Sequence, residues 1–299
     1  MRFLAGGSCR DAIAEVRAAA LDRLARCYGE ALRRLWWARR GRRCVASAMI
    51  LESAGRTGML LYSPVSARGV EADALASLAE RIAQEALRGG LCLVQALLLP
   101  DAGEDVAMLQ SAGFGQLAEL IYMRLDLTEA LAAGDDPQLT WRHYQQFDPA
   151  ELAEVIAATY EGSLDCPALC GVRRASEAIA GHKATGIFRP QTWWIVAMDG
   201  SPAGCVLLND SKTDGLCELV YLGVARSFRG RGLGRAMVRR AASEARARGR
   251  TAMTLAVDSQ NVYARRLYEA EGFRVTDRRL AYAMLDRSER SERASEGLK

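Results

Sequence analysis

A glycine- and arginine-rich turn joins an apolar strand to an amphipathic helix between residues 216 and 249. Leu216–Val224 is a short, mainly apolar run, as expected of a strand buried on both faces. From Leu233 onward apolar residues recur at helical spacing, which predicts a helix. At its start, free N–H groups and the positive end of the helix dipole converge on one point, which is a site for phosphate. The glycines that leave this turn free and bare are Gly230, Gly232 and Gly234.

Two arginines, Arg229 and Arg231, bring guanidinium groups to the same turn. A dinucleotide-binding turn is one interpretation, in which G-x-G-x-x-G directly follows the strand and an acid follows about 20 residues later. Asp258, after the next apolar run, is the available acid. The glycines here are instead spaced G-x-G-x-G, and Arg229 follows Val224 by five residues. The pattern therefore disfavours a dinucleotide site.

The residues after this helix make the pattern more specific. Thr251–Asp258 reads as a second strand and leads into Asn261-x-x-Ala264-x-x-Leu267-Tyr268-x-x-x-Gly272-Phe273. In order, spacing and residue type, this stretch together with Arg-x-x-Gly-x-Gly resembles the second half of a GNAT acetyltransferase domain. The resemblance implies an α/β fold (an α+β mixed sheet) in which acetyl-CoA lies in a V-shaped split between two central strands.

The resemblance also implies which residues bind the cofactor. The pyrophosphate of acetyl-CoA is expected on the glycine turn, and an Asn on the following helix is expected to reach the cofactor. Backbone amides around Gly223 and Val224, where the strand of the family bulges, would polarise the thioester carbonyl. The residues expected to bind acetyl-CoA are Leu222, Gly223, Val224, Arg229, Gly230, Arg231, Gly232, Leu233, Gly234 and Asn261.

Acyl transfer from a thioester to an amine needs a neutral amine and a proton for the departing thiolate. Glu218 lies among apolar neighbours in the first strand, where desolvation is expected to raise its pKa toward that of a useful general base. A solvated carboxylate at a strand end is the alternative. The resemblance places Tyr268 where the family has its general acid, the alternative being a tyrosine packed in the core. We therefore predict Glu218 and Tyr268 as catalytic residues.

The acceptor is less constrained by the sequence. Residues 160–188 fall where GNAT enzymes line the acceptor pocket, and Glu161 and Asp165 are carboxylates there that would hold an ammonium group. Loop solvation explains both equally well. The predicted function is an acetyl-CoA-dependent N-acetyltransferase that acts on a primary amine of a small molecule or peptide. The alternative is a non-catalytic acyl-CoA-binding or regulatory module.

The chain carries the same plan twice. Trp36-Trp37 and Trp193-Trp194 open matching hairpins, and Gly113-Phe114 and Gly272-Phe273 close matching helices. Since each half has the size of one domain, we predict two tandem GNAT-like domains. Their predicted limits are 1–126 and 137–286, with a linker at 127–136 and a disordered tail at 287–299.

The first domain is predicted to be degenerate and structural. It has Met59 where the second half has Glu218, and Leu109 where the second half has Tyr268. The sequence SPVSARG replaces the glycine turn, and its proline removes an N–H donor. The chemistry is therefore assigned to the second domain.

Net charge and the lengths of the apolar runs limit the classes of binding partner that the sequence predicts. The net charge of +4 is modest and suits a polyanionic small ligand at least as well as nucleic acid. The arginine run after Val224 lacks the interleaved aromatic residues of a single-strand binder, so no nucleic-acid partner is predicted. No apolar run approaches the roughly 18 residues of a membrane helix. No membrane partner is therefore predicted, and the sequence leaves the oligomeric state open.

Cysteine usage predicts the compartment. The eight cysteines are scattered and no secretion signal precedes them, so free thiols in a reducing cytoplasm are expected. Cys166, Cys170 and His182 are the conceivable zinc ligands, but the fourth ligand and the usual spacing are missing. No metal is predicted.

Overall fold

The computed structural model describes residues 35–127, 137–213 and 215–286. The predicted tail, all but Leu127 of the predicted linker, and two of the eight cysteines, Cys9 and Cys27, lie outside the described residues. The remaining six cysteines are free thiols. Among the described helices, none is both long and apolar enough to cross a membrane.

Three strands, a helix, a strand, a helix and a last strand follow one another in both halves, and in the second half one strand and two helices precede them. The strands of the first half and the one that follows it are β1 (Trp36–Arg40), β2 (Arg43–Ser53), β3 (Thr57–Tyr62), β4 (Leu93–Leu98), β5 (Gly115–Asp126) and β6 (Leu139–His143). The remaining strands are β7 (Trp193–Met198), β8 (Ser201–Asp210), β9 (Leu216–Val224), β10 (Ala252–Asp258) and β11 (Arg274–Leu285). The helices are α1 (Ala72–Arg88), α2 (Gly103–Ser111), α3 (Pro149–Tyr160), α4 (Ala175–Ala184), α5 (Leu233–Ala247) and α6 (Val262–Ala270). This arrangement confirms the predicted mixed α/β fold class.

The chain forms two compact units. The first contains residues 1–117 and 279–299, and the second contains Ala118–Arg278. In the first unit, β1, β2, β3, β4 and β11 are hydrogen-bonded in that order, with β3 and β4 parallel and the other pairs antiparallel. Helices α1 and α2 pack on this sheet, and Leu75, Ile82 and Leu109 are buried between them and the strands.

The second unit has strand order β5, β10, β9, β8, β7, β6. Only β9 and β10 are parallel, as expected for strands joined through a helix. Helices α5 and α6 cover one face around Met237 and Leu233, and α3 and α4 cover the other around Ile156 and Trp193. The hairpin of β7 and β8 turns at Asp199 and Gly200, both with positive φ, as its sequence predicts.

The units do not coincide with the two halves of the sequence. Strand β5 follows α2 along the chain but pairs with β10 in the second unit. Strand β11 ends the second half but its last part, Leu280–Leu285, pairs with β4 in the first unit. The described boundaries therefore differ from a cut at 127–136, because a cut there would remove the strand that completes the second sheet.

This arrangement predicts that β5 is required for the second unit to fold. Its residues Ile121, Met123 and Leu125 are buried in the core around α5, and losing them costs about 5–9 kcal/mol of apolar burial, comparable with the whole stability of a domain. A fragment of residues 118–278 should unfold cooperatively on heating, whereas 137–278 should not. Circular dichroism of the two fragments measures this, and equal melting temperatures would contradict the role of β5.

Candidate active site

Strands β9 and β10 separate after a short parallel contact. They pair only through Leu216, Cys217 and Glu218 of β9 with the facing residues 252–254 of β10. Beyond that point, residue 219 and residues 221–224 pair with β8, and residues 255–258 pair with β5. The facing backbone groups of the two strands are thus not used by the sheet, and an extended molecule with amide groups can pair with them as an added strand would.

A bulge determines which side chains of β9 face α3 and α4. The register against β8 shifts between Leu207 and Leu208, so Val220 is the extra residue. Gly223 and Val224 pair regularly with Cys205 and Gly204. The expectation of a bulge at Gly223 and Val224 was therefore wrong, and the irregularity lies three residues earlier. As a result Glu218 and Tyr221 share one face, the face covered by α3 and α4.

The glycine turn has the geometry of an anion site. Gly230 and Gly232 have φ of 80° and 85°, values that L side chains rarely adopt, and a Cβ at either position would meet nothing within 4 Å. Gly232 is the N-cap residue of α5, and no side chain caps that helix. The open space and the uncapped N–H groups at the positive end of the dipole together suit a phosphate group. The residues present therefore fit the pyrophosphate of acetyl-CoA.

Arg229 binds backbone carbonyl groups of the protein. Its guanidinium donates to the carbonyl oxygens of Val224 at 3.1 Å, Gly162 at 3.0 Å and Thr159 at 2.9 Å. These bonds tie the carboxyl end of β9 to the end of α3. Arg231 is exposed and lies over the ring of Phe228, with 5.6 Å from its guanidinium carbon to the ring centroid. Of the two arginines, Arg231 is the one left to meet a phosphate.

Most other arginines of the run are paired with carboxylates. Arg235 and Arg239 contact Glu271, whose side chain is 1% exposed. Arg248 and Arg250 contact Asp210, another buried carboxylate. Desolvation of these acids is offset by their ion pairs. The ion pairs of the run therefore stabilise α5 against its neighbours.

Glu218 is half-buried and lacks a partner. It faces Asn209 of β8 and Thr254 of β10, but it makes no hydrogen bond or ion pair with any residue that the structure describes. Burial raises the pKa of the Glu218 carboxyl, since the charged form loses solvation without compensation. The raised pKa that the sequence predicts for a base is thus present at the point where the two strands separate.

Tyr268 lies on α6 and is buried against Phe273, with ring centroids 5.5 Å apart. Within the described chain nothing hydrogen-bonds to its hydroxyl. Burial, and secondarily the negative charge of Asp165, raise the pKa of Tyr268 above its usual value. The hydroxyl therefore stays protonated through the physiological range and is available as a donor.

The structure separates the two predicted acceptor carboxylates. Glu161 is exposed and pairs with Arg226 at 3.1 Å. Asp165 instead accepts the backbone N–H of Asp258 at 3.2 Å, while Asp258 accepts the N–H of Cys166 at 3.1 Å. Asp165 also receives a hydrogen bond from Asn261, and burial raises the pKa of the Asp165 carboxyl. Of the pair, Asp165 is the one whose charge acts on Tyr268.

Asn261 has a structural task in addition to any contact with a ligand. It is the N-cap of α6, and its side chain accepts the N–H of Ala264 at 3.2 Å. Its other bond, to Asp165, joins the start of α6 to the segment after α3. The position that the sequence marks for the cofactor is thus also the one that fixes Asp165.

Residues 159–166 connect the ends of the two separated strands. Arg229 holds this segment at the end of β9, and Asp258 holds it at the end of β10. The sequence analysis considered Asp258 only as the acid of a dinucleotide-binding turn and missed this contact, because its partners lie more than 90 positions away. The separated strands therefore have a fixed spacing. Throughout the described ranges, no three His, Cys, Asp or Glu side chains form a group that would hold a metal ion.

Comparison with known proteins agrees with this geometry. Residues 159–273 match the model of the acetyltransferase (GNAT) family. A mycothiol acetyltransferase from Beutenbergia cavernae is 29% identical over 190 residues, which are 58% of this chain and 60% of that protein. An N-acetylaspartate synthetase from Rattus norvegicus is 33% identical over 82 residues, which are 27% of each chain. The chain thus spans about 60% and about a quarter of these two relatives.

A solved structure shows the same fold. The GCN5-related N-acetyltransferase from Sphaerobacter thermophilus superposes with a TM-score of 0.55 at 19% identity, covering 81% of this chain and 77% of that one. The family match contains the separated strands, the glycine turn and α6. Residues 159–273, which lie within the second unit, therefore match the GNAT acetyltransferase family, whose members use acetyl-CoA.

The glycine turn yields a test of the anion site. Gly232→Asp places a side chain and a negative charge at the uncapped start of α5, and acetyl-CoA binding should fall below detection in calorimetry. Gly249→Asp is the matched control, because Gly249 also has positive φ (75°) and open surroundings but lies beyond the other end of α5. It should lose similar stability and retain binding. Equal loss of binding in both variants would refute the site.

Proposed function

We propose that this protein transfers the acetyl group of acetyl-CoA directly to a primary amine within the second unit. The observation that carries the proposal is the separation of β9 and β10 beside an uncapped, glycine-rich helix start. Leu222, Gly223 and Val224 would hold the pantetheine arm through their backbone groups. Gly230–Gly234 and Arg231 would hold the pyrophosphate. The names of the two relatives indicate different acceptors, so neither acceptor is transferred to this chain.

Glu218 is proposed as the general base. An amine must lose a proton to attack a thioester, and a carboxylate with a raised pKa accepts that proton more readily than an ordinary one. Its lack of a protein partner leaves its oxygens available to the acceptor or to a water molecule. Glu218 makes no described contact with Tyr268, which suits a mechanism in which one residue serves the amine and the other the thiolate.

Tyr268 is proposed as the general acid, and Asp165 as the group that couples it to the acceptor. In the free protein burial, and secondarily the charge of Asp165, keep the pKa of Tyr268 high. An acceptor ammonium beside Asp165 would neutralise that charge and lower the pKa of the hydroxyl toward that of the leaving thiol. Acceptor binding would thus strengthen the acid that the reaction needs.

The first unit is proposed to be structural. Met59 pairs with Gln95 where Glu218 pairs with Thr254, and Leu109 is the seventh residue of α2 as Tyr268 is of α6. At the start of α1, the position of the phosphate site in α5, stands Glu71. Its carboxylate is paired with Arg40 at 2.6 Å and with Arg43 at 3.0 Å. A phosphate there would meet a negative charge.

Thiol release from acetyl-CoA tests the proposal against a non-catalytic acyl-CoA-binding module. The full-length protein is incubated with acetyl-CoA and a panel of primary amines, and free thiol is followed over time. Amine-dependent release above that of Gly232→Asp supports an acetyltransferase. Tight acetyl-CoA binding without release for any amine would favour the binding module.

Glu218→Gln should slow turnover most at low pH. A general base contributes about 10²–10⁴-fold in rate. At alkaline pH the acceptor amine is already deprotonated, so the base is needed less. The deficit should therefore shrink as pH rises. The variant should also be more thermally stable than wild type at neutral pH, because a raised folded-state pKa means that the ionised carboxylate opposes folding above the unfolded pKa. The pH–rate profile and the melting temperature measure both effects, and a deficit independent of pH would exclude the base role.

Tyr268→Phe should lower kcat by about 10²-fold or more while the KM for acetyl-CoA barely moves, the pattern of an interaction made only in the transition state. Packing against Phe273 is retained because the ring stays. Tyr263→Phe is the control, since Tyr263 lies on the same helix with 75% exposure, and it should behave as wild type. Full activity of Tyr268→Phe, or a loss explained by weaker acetyl-CoA binding, would remove Tyr268 from the mechanism.

A further inference from the structure

An aromatic cluster lines the α3 and α4 face of the separated strands. The rings of Tyr221 and His182 lie 5.2 Å apart, and those of Tyr221 and Tyr160 lie 6.2 Å apart. The Tyr221 hydroxyl hydrogen-bonds with the hydroxyl of Thr159, which in turn donates to the carbonyl of Ile156. Tyr221 is on the same face of β9 as Glu218. The cluster is therefore a fixed wall beside the proposed base.

Arg173 brings an unmatched positive charge to this wall. It is half-buried, and it forms no hydrogen bond or ion pair with any residue in the described part of the chain. Its charge nevertheless acts on Tyr160, Cys166 and His182. A half-buried guanidinium is normally paired with a carboxylate or with carbonyl groups, as Arg239 is with Glu271 here.

A second polar group in the cluster also lacks a partner. The Nε2 atom of His182 is buried and has no hydrogen-bond partner among the described residues. Burial, and then the charge of Arg173, lower the pKa of His182 to about 4, so the ring is neutral. The Nε2 atom of His182 and the guanidinium of Arg173 thus both lack a hydrogen-bond partner among the described residues. Leaving such groups unpaired costs stability unless a ligand completes them.

Asp165 supplies the opposite charge nearby. Both Asp165 and Arg173 act on Tyr160 and on Cys166, yet no ion pair joins the two side chains. The same two residues are therefore flanked by a carboxylate and by a guanidinium. An acceptor that carries an ammonium and a carboxylate a few bonds apart would match both charges.

We propose that the acceptor is an amino acid or a similar amine that carries a carboxylate, and that Arg173 binds this carboxylate while Asp165 faces the amine. The proposal rests on the acetyltransferase function proposed above. Arg173 is then a specificity-determining residue. The unpartnered Nε2 of His182 is the second polar group of the same cluster.

Matched acceptors test this inference. Glycine, alanine, aspartate and glutamate are each compared with their α-carboxamides, which retain the amine and the size but lose one negative charge. Binding is measured by calorimetry in the presence of CoA, and kcat/KM is measured by thiol release. Wild type should prefer the carboxylate of at least one pair by 10-fold or more. Arg173→Gln should reduce that preference by about 10- to 100-fold, the range expected for a charge-assisted hydrogen bond.

Two further variants control the test. Arg174→Gln removes the same charge from the adjacent, exposed position and should keep the preference. Arg173→Lys should keep part of it, because lysine retains the charge without the planar fork. The KM for acetyl-CoA should be unchanged in all three variants, which shows that they fold.

The outcomes separate the two proposals. Carboxylate binding that depends on Arg173 without thiol release for any amine would support the site and overturn the acetyltransferase function. Amine-dependent thiol release in which the carboxamides are used as well as or better than the carboxylates would support the acetyltransferase function. It would overturn the role of Arg173. A loss in Arg173→Gln that is equal for both members of every pair would also overturn it.

Discussion

The separation of β9 from β10 is the constraint on which the site depends. A parallel pair that stops after three residues leaves backbone N–H and C=O groups without sheet partners, at a cost that a continuous sheet would not carry. Residues 159–166 hold the two strand ends at a fixed spacing, through Arg229 at one end and Asp258 at the other. The opening is therefore preorganised, and it does not have to be created by the ligand.

The first unit has similarly separated strands, but it lacks the side chains proposed for the site in the second unit. Strands β3 and β4 also pair through only three residues. Yet the side chains at the two equivalent positions, Met59 and Leu109, are apolar, and the helix start carries Glu71. We therefore propose that the same backbone plan supports chemistry in the second unit and not in the first. Fold and function are separable here, and the function is determined by a few side chains at fixed places.

The sequence predicted those parts of the molecule that local patterning determines. The glycine turn, the two strands beside it and the order of the elements follow from periodicity and glycine placement. The bulge at Val220, the pairing of β5 with β10, and the contact of Asp165 with Asp258 did not follow. Each of these depends on residues far apart in the chain, and a strand pattern does not specify its partner. The pairing of β5 with β10 is the clearest case, since the sequence pattern of each half predicts a complete domain.

The placement of uncompensated charge is the strongest argument for where the second unit acts. Its buried carboxylates Glu271 and Asp210 are neutralised by arginines, at the ends of α5 where only stability is at stake. Glu218 and Arg173 are half-buried, and neither they nor the buried Nε2 of the neutral His182 have a partner among the described residues. Glu218 lies on the strand face covered by α3 and α4, and His182 lies on α4. A protein that neutralises its structural charges and leaves these unpaired has given up stability at one place, and we infer that a ligand with an amine and an anionic group would restore it.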